Sequence, residues 1–170
     1  SWDILNTIKL IQSSVALQAP ILDIGAYASE ILCALHRLGY SNLTGVDLNR
    51  DVAHMPFADK IRYVLSDFMH MPFQDASFEA ITAISVIEHG YQGDRLLREL
   101  ARVLKPGGLF IASVDYWPNK IDTSGIKAFG MDWRIFSMDE INTFVDRAAE
   151  FGFSPVGELN LSASAPLIEW

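Results

Sequence analysis

The sequence predicts an α/β fold in which a doubly wound, mainly parallel sheet carries helices on both faces. Five short apolar segments are typical of strands, and helical or crossover segments separate them. Strands that alternate with helices favour right-handed crossovers, which cover both faces of a parallel sheet. The length of 170 residues suits one domain with its own core. We therefore expect residues 1–170 to form a single domain.

The N-terminal segment, residues 1–19, predicts a helix. Its apolar side chains recur at steps of three and four residues over positions 2–17, before Pro20 ends the pattern. A helix with one apolar face buries that face against a partner. We expect this helix to pack on the body of the domain.

The remaining elements follow from apolar runs and from the residues that end them. The predicted strands are residues 20–24, 43–47, 61–65, 78–84 and 109–114. Helices are predicted from about 29 to 38, ended by Gly39, and from 93 to 104. Ser137 and Glu140 have the spacing of a capping box and begin a further helix.

Two segments near the C-terminus are less regular. Residues 116–133 combine turn-forming residues with several aromatic side chains, which suits a long loop that walls a substrate site. Residues 153–161 are apolar enough for a sixth strand. Either the sheet has six strands or the sequence is a fragment, and an uncovered sheet edge would favour pairing with a second chain.

An acidic residue lies at or near the carboxyl end of each of the first three predicted strands. Asp23 belongs to the first strand, Asp47 ends the second and Asp67 follows the third. Ligands of open α/β sheets bind beyond the carboxyl ends of the strands, so these carboxylates meet at one edge. A carboxylate after strand two suits a ribose diol, and one after strand three suits an adenine amine. Each Asp taken singly is equally well explained as a helix cap or turn residue.

The order of these motifs resembles the class I S-adenosylmethionine-dependent methyltransferases. The similar segments, between about Pro20 and Val114, are ILDIG, LTGVDLN, VLSDFMHMPFQDASFEAITAISVIEH and LLRELARVLKPGGLFIAS. The resemblance implies a Rossmann-like sheet of order 3-2-1-4-5 with one or two further C-terminal strands. It also implies S-adenosylmethionine as cofactor and S-adenosylhomocysteine as product. The segment WRIFS near residue 133 resembles methyltransferases encoded among sugar and polysaccharide pathway enzymes.

The resemblance assigns cofactor-binding roles position by position. The loop at the end of strand one would contact the methionine end of the cofactor. Residues after strands two and three would contact its ribose and adenine, and a backbone carbonyl after strand four would accept from its amino group. The residues so implied are Asp23, Gly25, Ala26, Tyr27, Asp47, Leu48, Asp67, Phe68 and Ser85.

The first loop departs from the family pattern D-x-G-x-G-x-G. This chain has Tyr27 and Ser29 in place of the second and third glycines. Ser29 is small and suits a helix cap, whereas Tyr27 either obstructs the cofactor or covers it. An active methyltransferase for a small molecule, such as a sugar or glycoconjugate precursor, is therefore one hypothesis. A catalytically degenerate relative that serves as a binding or interaction module is the alternative.

Acceptor-side residues are predicted after strand four and in the long loop. His89 is the candidate general base because a neutral imidazole accepts a proton from a hydroxyl. The alternative is that Glu88 and His89 only stabilise the turn. The predicted acceptor pocket consists of Tyr116, Trp117, Trp133 and Arg134. The aromatic side chains would form flat apolar walls and Arg134 would anchor an anionic group, although Trp133 suits a core position equally well.

Composition narrows the function class further. The net charge of −8 disfavours nucleic acid as a partner, and no apolar run reaches the roughly twenty residues of a membrane span. No metal site is expected, and a nicotinamide dehydrogenase is disfavoured because Gly25 stands alone where G-x-G-x-x-G is needed. A cytoplasmic protein with a small-molecule acceptor is expected, as a monomer or a homodimer.

Overall fold

The computed structural model describes residues 2–162. The helices are α1 (Trp2–Ser14), α2 (Ile31–Arg37), α3 (Gly93–Val103) and α4 (Met138–Glu150), with a 3₁₀ helix at Arg50–His54. The strands are β1 (Ile21–Ile24), β2 (Leu43–Asp47), β3 (Arg62–Leu65), β4 (Phe78–Ile84), β5 (Leu104–Ser113), β6 (Lys127–Ala128) and β7 (Met131–Asp132). Within residues 2–162, no helix has the length and apolar character needed to cross a membrane.

The main sheet has the order β3-β2-β1-β4-β5, and all of its neighbouring strands are parallel. This confirms the predicted fold class and strand order. The chain runs outward from β1 to β3 and then returns to β4 on the other side of β1. The carboxyl ends of β1 and β4 therefore flank the topological switch point, where open α/β sheets bind ligands.

Both faces of the sheet are covered, as the alternation of strands and helices predicts. On one face, Ile11 of α1 and Leu35 of α2 pack with Ile21 of the sheet. On the other face, Leu96 of α3 packs with Leu22. Adjacent residues of β1 thus enter opposite cores, so the strand is buried along its whole length and is apolar except for Asp23.

A largely buried ion pair fastens α3 to the segment between β3 and β4. Glu99 is 7% exposed and accepts a hydrogen bond from the backbone N–H of Met71, with N and O 2.6 Å apart. Arg102 lies 2.6 Å from the same carboxylate and donates to the backbone carbonyls of Met71 and Phe73. This network joins α3 to the segment between β3 and β4.

The C-terminal part departs from the sequence prediction in two ways. The predicted loop 116–133 contains the hairpin β6–β7, in which Phe129 and Gly130 both have positive φ, as a two-residue type I′ turn requires. The sixth strand predicted over 153–161 was wrong, because residues 153–162 contain no strand. Pro155 has no N–H to give to a sheet, and Gly157 turns the chain at φ +82°. Residues 163–170 lie outside the described residues.

The capping box predicted at the start of α4 is present. The Ser137 hydroxyl accepts from the N–H of Glu140, and the Glu140 carboxylate accepts from the N–H of Ser137. Phe144 on this helix packs against the core formed with α3. Local capping chemistry therefore located this helix correctly from sequence alone.

Candidate functional site

A cavity of about 760 Å³ opens at the switch point of the sheet. Its size falls within the range of about 300 to 1,000 Å³ that is usual for small-molecule sites. Its walls come from α1, the loop after β1, the ends of β2 and β4, and the β6–β7 hairpin. The lining residues that the sequence predicted for the site are Gly25, Tyr27, Asp47, Leu48, Phe68, Ser85 and His89.

The loop after β1 keeps a compact course although two family glycines are missing. Gly25 has φ +73°, and a Cβ there would lie 2.3 Å from Cγ2 of Val86, so this position requires glycine. The other left-handed residue in the loop is Ala28, at φ +60°, rather than Tyr27. The Tyr27 side chain is 42% exposed and lines the cavity. The tyrosine is therefore accommodated without closing the site.

Asp47 fastens this loop to the end of β2. Its Oδ2 accepts a hydrogen bond from the N–H of Tyr27 at 2.9 Å, and its Oδ1 accepts from the N–H of Asn49 at 2.7 Å. Each carboxylate oxygen has a second lone pair, so both can also accept from a ligand in the cavity. Two oxygens at one edge match the vicinal hydroxyls of a ribose.

The residues that follow β2 and β3 lie partly in the cavity and partly beside it. Phe68 is buried and lines the cavity, and Leu48, which is 52% exposed, lines it as well. Asp67 is not among the lining residues. Its Oδ1 caps the N–H of Met69 at 2.8 Å, and its Oδ2 lies 3.9 Å from Arg95. The two apolar side chains suit a flat ring, while Asp67 holds the turn beside them.

Ser85 directly follows β4 and has a left-handed conformation, at φ +52°. Its N–H donates to the backbone carbonyl of Ser113, 3.0 Å away, and the Ser113 hydroxyl lies 3.2 Å from the carboxylate of Asp3. Asp3 and Ile4 of α1 line the cavity. The N-terminal helix is therefore part of the site wall, a role that its amphipathic spacing did not reveal.

Asp23 and Ala26 lie behind the cavity instead of lining it. Asp23 is 1% exposed, and its Oδ1 accepts from the Thr82 hydroxyl at 2.6 Å. Burial raises the pKa of Asp23 to about 6, against hydrogen bonds from Ser29 and Thr82 that lower it. Ala26 is buried against β2, since a Cβ on Gly45 would lie 2.7 Å from its Cβ. Both residues therefore support the loop after β1 from the side that faces away from the cavity.

His89 lies at the far end of the cavity, next to the β6–β7 hairpin. Its ring stands edge-on to Phe129, with 5.2 Å between the centroids, and Phe129 and Met131 complete this wall. Desolvation lowers the pKa of His89, and the charge of Asp115 opposes that shift. The imidazole is therefore neutral at pH 7, which is the form that accepts a proton.

Glu88, the neighbour of His89, is 1% exposed, and both oxygens of its carboxylate are buried. Burial raises the pKa of Glu88 to about 7, and the nearby charge of Asp115 raises it further. It lines a second, polar cavity on the other side of the site wall. Sequence gave no sign of this burial, because a glutamate beside a histidine is common in exposed turns.

Replacing Glu88 by glutamine is expected to stabilise the protein above pH 7 and to leave its stability unchanged below pH 4.5. The folded-state pKa of Glu88 lies above the unfolded value, so folding penalises only the ionised form, and the penalty grows as pH rises from about 4.5 to 7. The gain at pH 8 should be on the order of 2 to 3 kcal/mol. Urea denaturation of both proteins across this range measures it, and a pH-independent difference would contradict the assignment.

The four residues predicted to form the acceptor pocket do not line the main cavity. Tyr116 donates from its hydroxyl to the carbonyl of Leu161, and the backbone N–H of Trp117 donates to Phe136. Trp133 donates from Nε1 to Asp115 at 2.9 Å. Trp133 and Arg134 line the second cavity, whereas Phe129 and Met131, which the sequence did not single out, line the first. The one sequence feature that could have indicated Phe129 and Met131 is Gly130, which favours the tight turn of this hairpin.

Comparisons with known proteins agree with this geometry. A family model described as "Methyltransferase domain" matches residues 22–112. A sterol 4-C-methyltransferase of Caenorhabditis elegans is 34% identical over 98 residues, which cover 53% of this chain and 29% of the relative. The methyltransferase GfsG of Streptomyces halstedii is 33% identical over 103 residues, covering 55% of this chain and 37% of the relative.

A solved structure of similar fold is the S-adenosylmethionine-dependent methyltransferase of Mesorhizobium loti. It aligns with a TM-score of 0.63 at 18% identity, over 82% of this chain and 78% of that one. The chain spans about a third of the length of the two curated relatives. The matched family segment runs from β1 to β5 and contains the glycine loop, Asp47 and Ser85. Because that segment is more than half of the chain, the protein belongs to the methyltransferase domain family, whose fold implies S-adenosylmethionine as cofactor.

Proposed function

We propose that the main cavity binds S-adenosylmethionine and that the protein transfers its methyl group to a small-molecule acceptor. The observation that carries this proposal is the convergence of Gly25, Asp47 and Ser85 on one cavity at the switch point. Asp47 would accept from the ribose hydroxyls, and Leu48 and Phe68 would flank the adenine ring. Ser85 would place its backbone at the amino group of the cofactor. Bound S-adenosylmethionine supplies an activated sulfonium methyl group.

The chain's own contribution to the reaction is alignment, exclusion of water and movement of one proton. The acceptor side of the cavity is mostly apolar, formed by Ile4, Val86, Phe129 and Met131. Ile4, Val86 and Met131 are half-buried and would keep water from the reacting centre. His89 stands among them and would take the proton from an acceptor hydroxyl as its oxygen attacks.

The acceptor class we favour is a molecule with an apolar body and one hydroxyl. The apolar wall supports the apolar body, and so does the sterol 4-C-methyltransferase among the relatives, whose named acceptor is a sterol methylated at carbon. The hydroxyl is supported by the position of His89 in the same cavity. A sugar or glycoconjugate precursor is the second candidate, supported by the resemblance of WRIFS, whose Trp133 and Arg134 line the polar cavity. Transfer of labelled methyl groups to a sterol and to a sugar nucleotide, offered in parallel, distinguishes the two.

Replacing His89 by glutamine is expected to lower kcat about 100-fold, because general bases usually contribute 10² to 10⁴. Binding of S-adenosylhomocysteine should stay within about twofold, since the imidazole acts on the acceptor. In the wild type, kcat should rise with pH through a pKa below the usual 6.5, where the imidazole becomes neutral. An unchanged kcat in the variant would show that His89 only supports the turn.

Replacing Tyr27 by alanine is expected to weaken S-adenosylhomocysteine binding about fivefold, because the ring then no longer contributes roughly 1 kcal/mol of aromatic contact. Tyr27→Phe is the matched control and should bind like the wild type. Calorimetric titration of the three proteins measures the effect. Tighter binding by the alanine variant would show that the ring obstructs the site.

A further inference from the structure

The loop after β1 has two residues with positive φ, and only one of them is a glycine. Gly25 has φ +73°, whereas Ala28 has φ +60°. A residue with a Cβ adopts a left-handed conformation at a cost that glycine does not have, because the Cβ approaches the following carbonyl oxygen. Ala28 lines the main cavity, so its conformation shapes the wall that a ligand meets. A contact that holds Ala28 in place therefore affects the site.

The backbone N–H of Ala28 is held by a part of the chain other than the sheet. The N–H groups of Gly25 and Ala26 donate to the carbonyl of Val46 in β2, at 2.9 and 3.0 Å. The N–H of Ala28 donates instead to the thioether sulfur of Met55, with N and Sδ 3.4 Å apart. This contact joins the loop after β1 to the segment that follows the 3₁₀ helix.

The position of Met55 is fixed by its own contacts. It directly follows the 3₁₀ helix, and its N–H donates to the carbonyl of Val52 at 3.2 Å. Its side chain is half-buried and packs against the core that contains the buried side chains of Val52 and Ile61. Met55 is not among the described residues that line the main cavity. It therefore acts on the cavity through Ala28.

We propose that Met55 is a positioning residue of the cofactor site, and that its sulfur holds Ala28 in the left-handed conformation that shapes the loop for the cofactor. This role rests on the proposed function, because the ligand of the cavity is taken to be S-adenosylmethionine. A leucine in place of Met55 fills a similar volume but offers no acceptor to the N–H. A glycine in place of Ala28 removes the steric cost, so the sulfur contact then matters less. These two substitutions separate the hydrogen bond from packing.

The first test uses the ligand-free protein and follows the Cα and Cβ chemical shifts of Ala28 by NMR, because these shifts depend on backbone conformation. In Met55→Leu we expect them to move from their wild-type values toward those of a residue with negative φ. The shifts of Ala26, whose N–H stays bonded to Val46, should not change. Unchanged shifts of Ala28 would overturn the proposal whether or not the protein binds S-adenosylhomocysteine. This measurement therefore separates a failure of the Met55 contact from a failure of the proposed function.

The second test is calorimetric titration with S-adenosylhomocysteine. Met55→Leu should weaken binding about threefold to fivefold, as for the loss of one hydrogen bond to a weak acceptor. When Ala28→Gly is also present, the same substitution should change affinity less than about twofold, because glycine adopts the left-handed conformation without the contact. Equal losses in both backgrounds would assign the effect to packing and overturn the proposal, as would no loss in either. Met138→Leu, at a 41% exposed position on α4, is the matched control and should bind like the wild type.

Discussion

Replacing Asp47 by alanine is expected to weaken S-adenosylhomocysteine binding by at least about 100-fold. Two hydrogen bonds from ribose hydroxyls to a carboxylate are worth about 1.5 to 3 kcal/mol each, and every 1.4 kcal/mol is tenfold in affinity. The carboxylate also holds the N–H groups of Tyr27 and Asn49, so its loss releases the loop that shapes the cavity. Both effects lower affinity in the same direction.

The matched control for this substitution is Asp51→Ala. Asp51 lies four residues further on, in the 3₁₀ helix, and its exposed side chain makes only a 3.8 Å ion pair with His54 among the contacts described. Removing it changes the net charge equally and should leave affinity within about twofold, as for most exposed substitutions. Calorimetric titration compares the variants, and melting curves without ligand confirm that each is folded. A loss below about threefold in Asp47→Ala would contradict the role of Asp47.

Replacing Arg102 by leucine is expected to lower the free energy of unfolding by about 3 to 5 kcal/mol, because it leaves the buried Glu99 carboxylate without its charge partner. The change also removes donors to the carbonyls of Met71 and Phe73. Urea denaturation measures the loss. Arg98→Leu, on the exposed side of the same helix, is the control and should cost less than about 1 kcal/mol.

A double variant separates the buried charge from the lost packing of Arg102. Glu99→Gln with Arg102→Leu should be less destabilised than the sum of the two single variants, because the uncompensated charge is then absent. Additive effects would show that the two side chains act independently. In either case the measurement concerns the contact between α3 and the segment that joins β3 to β4, and neither Glu99 nor Arg102 lines the main cavity.

The centre of the sheet was predictable from sequence because β1, β2 and β4 are short, mostly apolar runs that are buried along most of their length. The strands at 43–47 and 78–84 have the predicted bounds, and the carboxyl ends of the strands gave Gly25, Asp47 and Ser85 a common edge. The strand predicted at 109–114 begins earlier, at Leu104, because the segment through Pro106 and Gly107 pairs irregularly with β4.

Other parts of the site could not be predicted because they depend on tertiary packing. The β6–β7 hairpin has two residues per strand, too few for a period-two pattern, so Phe129 and Met131 were missed. The spacing of α1 showed its apolar face but not that Asp3 would reach Ser113. For Glu88 the deciding fact is burial, which no local pattern encodes. The strand expected at 153–161 depended on apolar content alone, and Pro155 and Gly157 prevented it.

The measurement that tests the central claim most directly is calorimetric titration of the wild-type protein with S-adenosylhomocysteine. The structure predicts one site per chain with a dissociation constant in the micromolar range, because the cavity, Asp47 and the loop at Gly25 are already in place. Such binding would identify the cavity as the cofactor site. An absence of heat at millimolar ligand, from protein shown to be folded, would contradict the claim and favour a methyltransferase fold that serves as a binding module.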